Sequence, residues 1–440
     1  MTQTATQNPA AAPETGFGPI RRNARVLLAA MVGTSVEFYD FYIFGTAAAL
    51  VFGPMFFPKA DPVAQLIFVF MINGVAFAAR PLGAMFFGHF GDRTGRKSTL
   101  VASLVLMGVS TFIIALLPSY ATMDAYGVGW LAPALLCILR FGQGFAVGGE
   151  WGGAALLAVE NAPKGWESRF GVAPQLGAPV GFFCSTGLFL MLQMSLSDQA
   201  FNDWGWRIPF VLSAVLVAVG LWVRLKLGET PAFAEALEHS TVHDMPIAPL
   251  FRHHLAMLLA GTVGALACFT IFYFATTFAL AQATGPLHIP RVPFLLAQLA
   301  ANFFFAAALI ASAIWADRRG AAYVLVRGAW MAMALGLVFG AGLGSGSMWL
   351  VFATLAASLT VMGFAYGPLG PWLSGLFPVE LRYSGISLSF SVGGVLGGAL
   401  APIAATKLAA MGMLPAVGLL LTLAGALTWI GARAGKPVAA

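Results

Sequence analysis

The chain has 440 residues, of which 59% are hydrophobic and 9% charged, against roughly 25% charged in an ordinary soluble domain. This excludes a soluble globular protein, and at about 20 apolar residues per crossing the chain has room for on the order of a dozen helical spans. The net charge of +6 does not point to nucleic acid, because the basic residues sit singly or in small groups between apolar runs, as membrane topology arranges them.

Residues 1–20, rich in Ala, Thr, Gln and Pro and without a cleavage pattern, read as a disordered cytoplasmic tail. Unbroken apolar runs such as 211–223 and 414–430 predict helices in place of the alternating strands of an outer-membrane barrel. In chain order, spans are expected at about 25–50, 64–88, 98–118, 131–158, 170–192 and 207–226, then 255–281, 292–315, 321–343, 348–375, 384–406 and 412–432. The expected fold class is an all-α membrane protein of twelve transmembrane helices in two six-helix bundles, 21–228 and 255–440. The polar stretch 229–254 between them, with Glu229, Glu235, Glu238 and Asp244, cannot sit cheaply in hydrocarbon and reads as a cytoplasmic linker.

Of the 23 Lys and Arg, 17 fall on the side of both termini, 4 on the other side, and Arg80 and Arg140 inside spans. The bias predicts both termini in the cytoplasm. The lack of Asn-x-Ser/Thr acceptors and the short loops favour a bacterial inner membrane. Cys137, Cys184 and Cys268 lie in apolar stretches at unrelated spacings and suggest neither a disulfide framework nor a metal site, and no cofactor is expected. Two nucleotide look-alikes fail: Gly95-Arg-Lys-Ser98 has an arginine where a phosphate loop needs its lysine to follow glycine, and Gly142-x-Gly144 lacks a glycine at 147. The glycines of span four, among them Gly144, Gly148 and Gly152, read as small faces for close helix packing.

Charge deep in a bilayer is expensive and marks function. Five such residues stand in the first half: Glu37 and Asp40 in span one, Arg80 in span two, Arg140 and Glu150 in span four. Glu37 and Asp40 are three apart, hence on one helical face, and with Glu150 they are the candidates for proton coupling. Three acids against two bases leave one negative charge, which suits one exchangeable proton. The arginines either order the bundle as permanent salt bridges or, released when a partner is protonated, bind a substrate carboxylate with a planar fork. Arg140 and Arg80 are therefore substrate-binding candidates, with Tyr39, Tyr42 and Gln143 beside them. The second half offers neutral contacts: Thr270, Tyr273, Thr276 and Thr277 in span seven, Gln298 and Asn302 in span eight, Tyr366 and Trp372 in span ten. The histidines lie in or near loops and do not compete.

A repeat supports the two halves. Gly88-His-Phe-Gly-Asp-Arg-Thr-Gly-Arg-Lys97 follows span two, and a worn copy, Asp317-Arg-Arg-Gly320, follows span eight, with Asp92 and Asp317 225 residues apart (317 minus 92). Duplicated bundles with a site between them at the midplane suit a transporter that rocks. Asp92, Arg93, Arg96 and Lys97 lie where spans two and three emerge, and the glycines suit a tight reversal there.

The signature segment resembles that of the major facilitator superfamily. Val36-Glu-Phe-Tyr-Asp-Phe41, Arg80-Pro-Leu-Gly83, Arg140-Phe-Gly-Gln-Gly144 through Gly148-Gly-Glu-Trp-Gly-Gly153, Gly228-Glu-Thr-Pro-Ala-Phe233 and Phe377-Pro-Val-Glu-Leu-Arg-Tyr-Ser-Gly385 together look like the metabolite:proton symporter family. These blocks span nearly the whole chain. The resemblance implies proton-coupled uptake of an organic acid or, in some members, of a zwitterion such as a betaine or proline. It also implies that Asp92 faces the start of span eleven, where a helix N-terminus favours a carboxylate and the contact would hold the cytoplasmic side shut, which makes Asp92, Arg93, Arg96 and Lys97 the gating candidates. Two departures stand out: Phe38 where the family usually carries Trp, and no basic pair after Gly320.

The expected partners are a small anionic carboxylate substrate, protons and the lipid bilayer, with no nucleic acid, and the chain is expected to act as a monomer. A channel would not need buried charge of both signs in duplicated bundles. An enzyme would need a ligand cluster or nucleophile and base, and none is apparent in the spans. A sensor would usually add a signalling domain.

Overall fold

Backbone polar groups in hydrocarbon have no water to bond, so each crossing has to satisfy them internally. The crossings of this chain do so as helices. The computed structural model describes residues 18–94, 96–148, 150–160, 162–226, 247–378 and 381–435. Among the described residues ten helices are long and apolar enough to cross a membrane, and the shorter Val101–Leu116 and Leu131–Val147 bring the crossings to twelve.

Span 1 is Ala24–Ala47, continued by a π-helical turn, Ala48–Phe52, and Gly53–Phe56. Span 2 is Pro62–Thr94, span 3 Arg96–Leu116, and span 4 Leu131–Val147 with Glu150–Glu160. Span 5 is Glu167–Gln175 with Gly177–Ser195, and span 6 is Ile208–Lys226. Span 7 is broken into Leu255–Gly264, Leu266–Tyr273, a second π-helical turn Phe274–Phe278, and Ala279–Thr284. Span 8 is Arg291–Arg319, span 9 Ala321–Leu343, span 10 Met348–Tyr366 with Leu369–Leu376, span 11 Arg382–Ala410 with a third π-helical turn at Val395–Leu400, and span 12 Leu414–Ala434.

Three segments depart from the expected map. Gly18–Arg22 is helical, so the last residues assigned to the tail are ordered, while 1–17 lie outside the described residues. Ile247–His253 forms a short helix within the expected linker, of which 229–246 lie outside the described residues. The signature segment was expected as a loop, yet span 2 runs on as helix to Thr94. Between Gly88 and Thr94 no proline stops it, and an isolated glycine in a helix costs only about 1 kcal/mol.

Close backbone contact sets the frame around the buried charges. A Cβ on Gly144 would collide with the carbonyl of Ala76, and one on Gly148 with that of Arg80, so spans 2 and 4 touch main chain to main chain. In the second half, Gly336 and Gly418 bring spans 9 and 12 equally close. The π-helical turn of span 7 is supported from span 8, where the Gln298 amide donates to the carbonyls of Ala275 and Thr276, both at 3.0 Å. The halves meet along spans 5 and 8, where Asn302 donates to the Pro179 carbonyl at 2.8 Å, and along spans 2 and 11, where Phe77 packs on Gly394 and Gly398.

Candidate functional site

The glycine contact between spans 2 and 4 determines where Arg140 goes. One turn before Gly144, its guanidinium is fully buried in the first half. Nη1 donates to Gln143 Oε1 at 2.7 Å and Nη2 to Asn73 Oδ1 of span 2 at 2.5 Å. The ring of Phe44 lies 3.8 Å from its carbon and that of Phe41 4.9 Å. A guanidinium buried this way is held by neutral acceptors and π faces.

Asp40 is 1% exposed on span 1. Thr111 of span 3 donates to its Oδ2 at 2.9 Å, and Ser213 of span 6 makes a short hydrogen bond to Oδ1. Thr111 accepts in turn from Gln143 Nε2 at 2.6 Å. Asp40 and Arg140 therefore stand at the ends of a buried chain with two neutral side chains between them.

Glu37, one turn away on the same helix and also buried, acts electrostatically on Arg80. The two acids thus address different arginines. The Arg80 guanidinium carbon sits 4.4 Å from the Phe41 ring and 4.5 Å from that of Phe77. Phe77 in turn meets Tyr273 of the second half edge-on, so Arg80 lies beside the seam between bundles.

That seam is aromatic. Tyr42 stacks on Phe272 at 4.8 Å between centroids, and Phe77 meets Phe269 and Tyr273 edge-on, both at 5.7 Å. Beside it the space lined by Tyr42, Gly45, Thr46, Phe182, Tyr273 and Thr277 is about 10 Å³, near the threshold for a single water. The bundles are closed on one another at the midplane.

Among the described residues, two polar contacts join the halves on the face that carries the chain ends. Asp317, 1% exposed, accepts from the backbone N–H of Ser168 at 2.7 Å and of Arg169 at 3.3 Å, and from Arg169 Nε at 2.6 Å. Glu160 pairs with Arg382 at 3.2 Å. On the opposite face Arg291 meets Asp198 at 3.6 Å.

Among the candidates from sequence, Asp40, Gln143 and Arg140 come together in one chain, and Arg80, Glu37, Tyr42, Tyr273 and Tyr366 in the seam beside it. Tyr39 does not join them: its hydroxyl donates to the Pro209 carbonyl of span 6 at 2.9 Å. Thr270 and Thr276 bond their own helix. The side chains of Glu150, Asp92, Arg93, Arg96 and Lys97 lie outside the described residues. Sequence reasoning passed over Asn73, Thr111, Ser213 and Arg169. Asn73 carries a usable signal as an amide in the apolar run 66–79, whereas a serine or threonine in a span most often bonds its own helix and carries none.

The family described as "Sugar (and other) transporter" matches residues 26–241. The chain is 44% identical over 95% of its length to the inner membrane metabolite transport protein YhjE of Escherichia coli (strain K12), covering 95% of that protein. It is 36% identical to the shikimate transporter of the same organism, covering 90% of each chain. Among solved structures, the proton:xylose symporter XylE bound to 6-bromo-6-deoxy-D-glucose superposes with a TM-score of 0.72 at 15% identity, over 94% of this chain and 95% of that one.

Proposed function

The chain belongs to the metabolite:proton symporter family of the major facilitator superfamily, and from that premise we propose that it carries a small carboxylated metabolite into the cell together with protons. It is a multi-pass membrane transporter and not an enzyme. The proposal extends this to the substrate's charge, the coupling ion and the direction.

One observation carries it. A fully buried carboxylate, Asp40, is wired by hydrogen bonds to a fully buried guanidinium, Arg140, while a second guanidinium, Arg80, lies on Phe77 where that ring meets Tyr273 of the other half. An acid screened from water suits a reversible proton site. Two buried arginines, one of them beside the seam, suit an anion, whose fork of oxygens matches theirs. The relationship to a shikimate transporter supports a carboxylated substrate. The positive-inside bias supports placing both termini, and the face bearing Asp317 and Arg169, in the cytoplasm of a cell with this protein in its inner membrane.

Uptake by the purified protein in proteoliposomes tests the reading, with a panel of cyclic, mono- and dicarboxylates set against betaines. Accumulation of a carboxylate driven by an imposed pH gradient, alkaline inside, and collapsed by a protonophore is expected. Gradient-driven accumulation of betaines alone would replace the anion with a zwitterion, and absence of any gradient effect would remove proton coupling.

A further inference from the structure

The hydroxyl of Thr111 holds one proton and has two acceptors at equal distance. Asp40 Oδ2 and the carbonyl of Met107, one turn back on its own helix, both lie 2.9 Å away. Its oxygen meanwhile accepts from Gln143 Nε2 at 2.6 Å, and Gln143 Oε1 accepts from Arg140 at 2.7 Å. Every donor from Arg140 to Thr111 can therefore point toward Asp40. From these distances we propose that Thr111 is a positioning residue that carries the protonation state of Asp40 to Arg140 by turning its hydroxyl between the two acceptors. The inference rests on the proton-coupled reading above.

The two settings follow from counting protons. With Asp40 ionised, Thr111 donates to the carboxylate, and bonds in such a chain polarise one another, which strengthens the hold of Gln143 on Arg140. When a proton from solution forms an O–H bond on Oδ2, that group becomes a donor. Thr111 breaks no bond; it rotates its own proton onto the Met107 carbonyl and accepts from Asp40 and Gln143 together. The chain then no longer ends on an anion. Gln143 grips Arg140 less, and Nη1 is released for a substrate carboxylate. Proton first and anion second is the order this gives.

The groups that face Asp40 are few. Span 4 brings Arg140, spans 3 and 6 bring the hydroxyls of Thr111 and Ser213, and on its own helix Tyr39 stands beside it, itself near Cys184 of span 5. Glu37, one turn back, acts on Arg80.

Infrared difference spectra of the reconstituted protein between acid and alkaline pH read both ends of the chain without a substrate. The wild type should show a protonated-carboxyl band that Asp40→Asn removes and a guanidinium band, identified by isotope-labelled arginine, that Arg140→Lys removes. Both should titrate together. Thr111→Val should keep the carboxyl titration and lose the pH dependence of the guanidinium band, and Thr111→Ser should restore it. Should Thr111→Val fail to fold, Gln143→Leu cuts the next link and is expected to give the same loss. A guanidinium band that still follows the carboxyl in a folded cut variant overturns the relay and leaves proton coupling standing. A wild type without the Asp40-dependent band overturns the proton site, and the relay with it.

Discussion

Asp317 closes the N-terminus of span 5: its carboxylate accepts the backbone N–H of Ser168 and the side chain of Arg169, at 2.7 and 2.6 Å. The contact crosses between halves and is almost dry, with the Asp317 side chain 1% exposed. A carboxylate at a helix N-terminus gains up to about 2 kcal/mol when partly buried. Asp317 belongs to the worn copy of the signature segment, so losing the trailing basic residues did not remove this contact from the second half.

Asp317→Asn keeps the shape and removes the charge. A contact present in only one of two states shifts their balance by its own worth, so about 2 kcal/mol moves the population roughly 30-fold toward the form open on the Asp317 face. Labelling of single cysteines placed on each face should report increased reactivity on that face and slower turnover. Unchanged labelling would make the contact a packing detail.

Asp40→Asn tests the coupling site. The amide oxygen still accepts one hydroxyl and its N–H₂ can donate to the other, so the fold should hold. Gradient-driven accumulation should disappear while exchange of substrate across the membrane persists. Accumulation at the parent level would move the proton site elsewhere.

Arg140→Lys retains the positive charge and loses the fork. An ammonium cannot span Gln143 and Asn73 while lying on Phe44 as the guanidinium does. Substrate affinity should fall by a factor of roughly 10 to 100, in line with about 1.5–3 kcal/mol for a hydrogen bond to a charged group. Isothermal titration with whichever carboxylate the proteoliposomes take up would measure it, and an unchanged affinity would leave Arg140 a structural role.

Gly144→Ala and Gly187→Ala make a matched pair. A methyl at 144 meets the Ala76 carbonyl, whereas one at 187 meets nothing within 4 Å. Overpacking of this kind costs about 1–3 kcal/mol, so Tm should drop in the first variant and stay level or rise slightly in the second.

The spans and the buried charges were legible because each is written in local terms: runs of apolar residues, an acid where acids are expensive. The partners of those charges were not. Glu37 and Asp40 share a helical face by spacing, yet it is Asp40 that Thr111 and Ser213 bond, a choice made by where spans 3 and 6 dock. Thr111 and Ser213 look like any hydroxyl in a span until a carboxylate from another helix arrives. The three π-helical turns were equally silent, since what sustains one of them, the Gln298 amide, comes from the next span.

The aromatic seam has a further consequence for the cell's energy. Protons leak along continuous files of water, and beside the stacked Tyr42 and Phe272 the protein leaves space for about one molecule. At that point the seam interrupts any file of water, so a carrier in this conformation can remain in the membrane in many copies without opening a proton leak there.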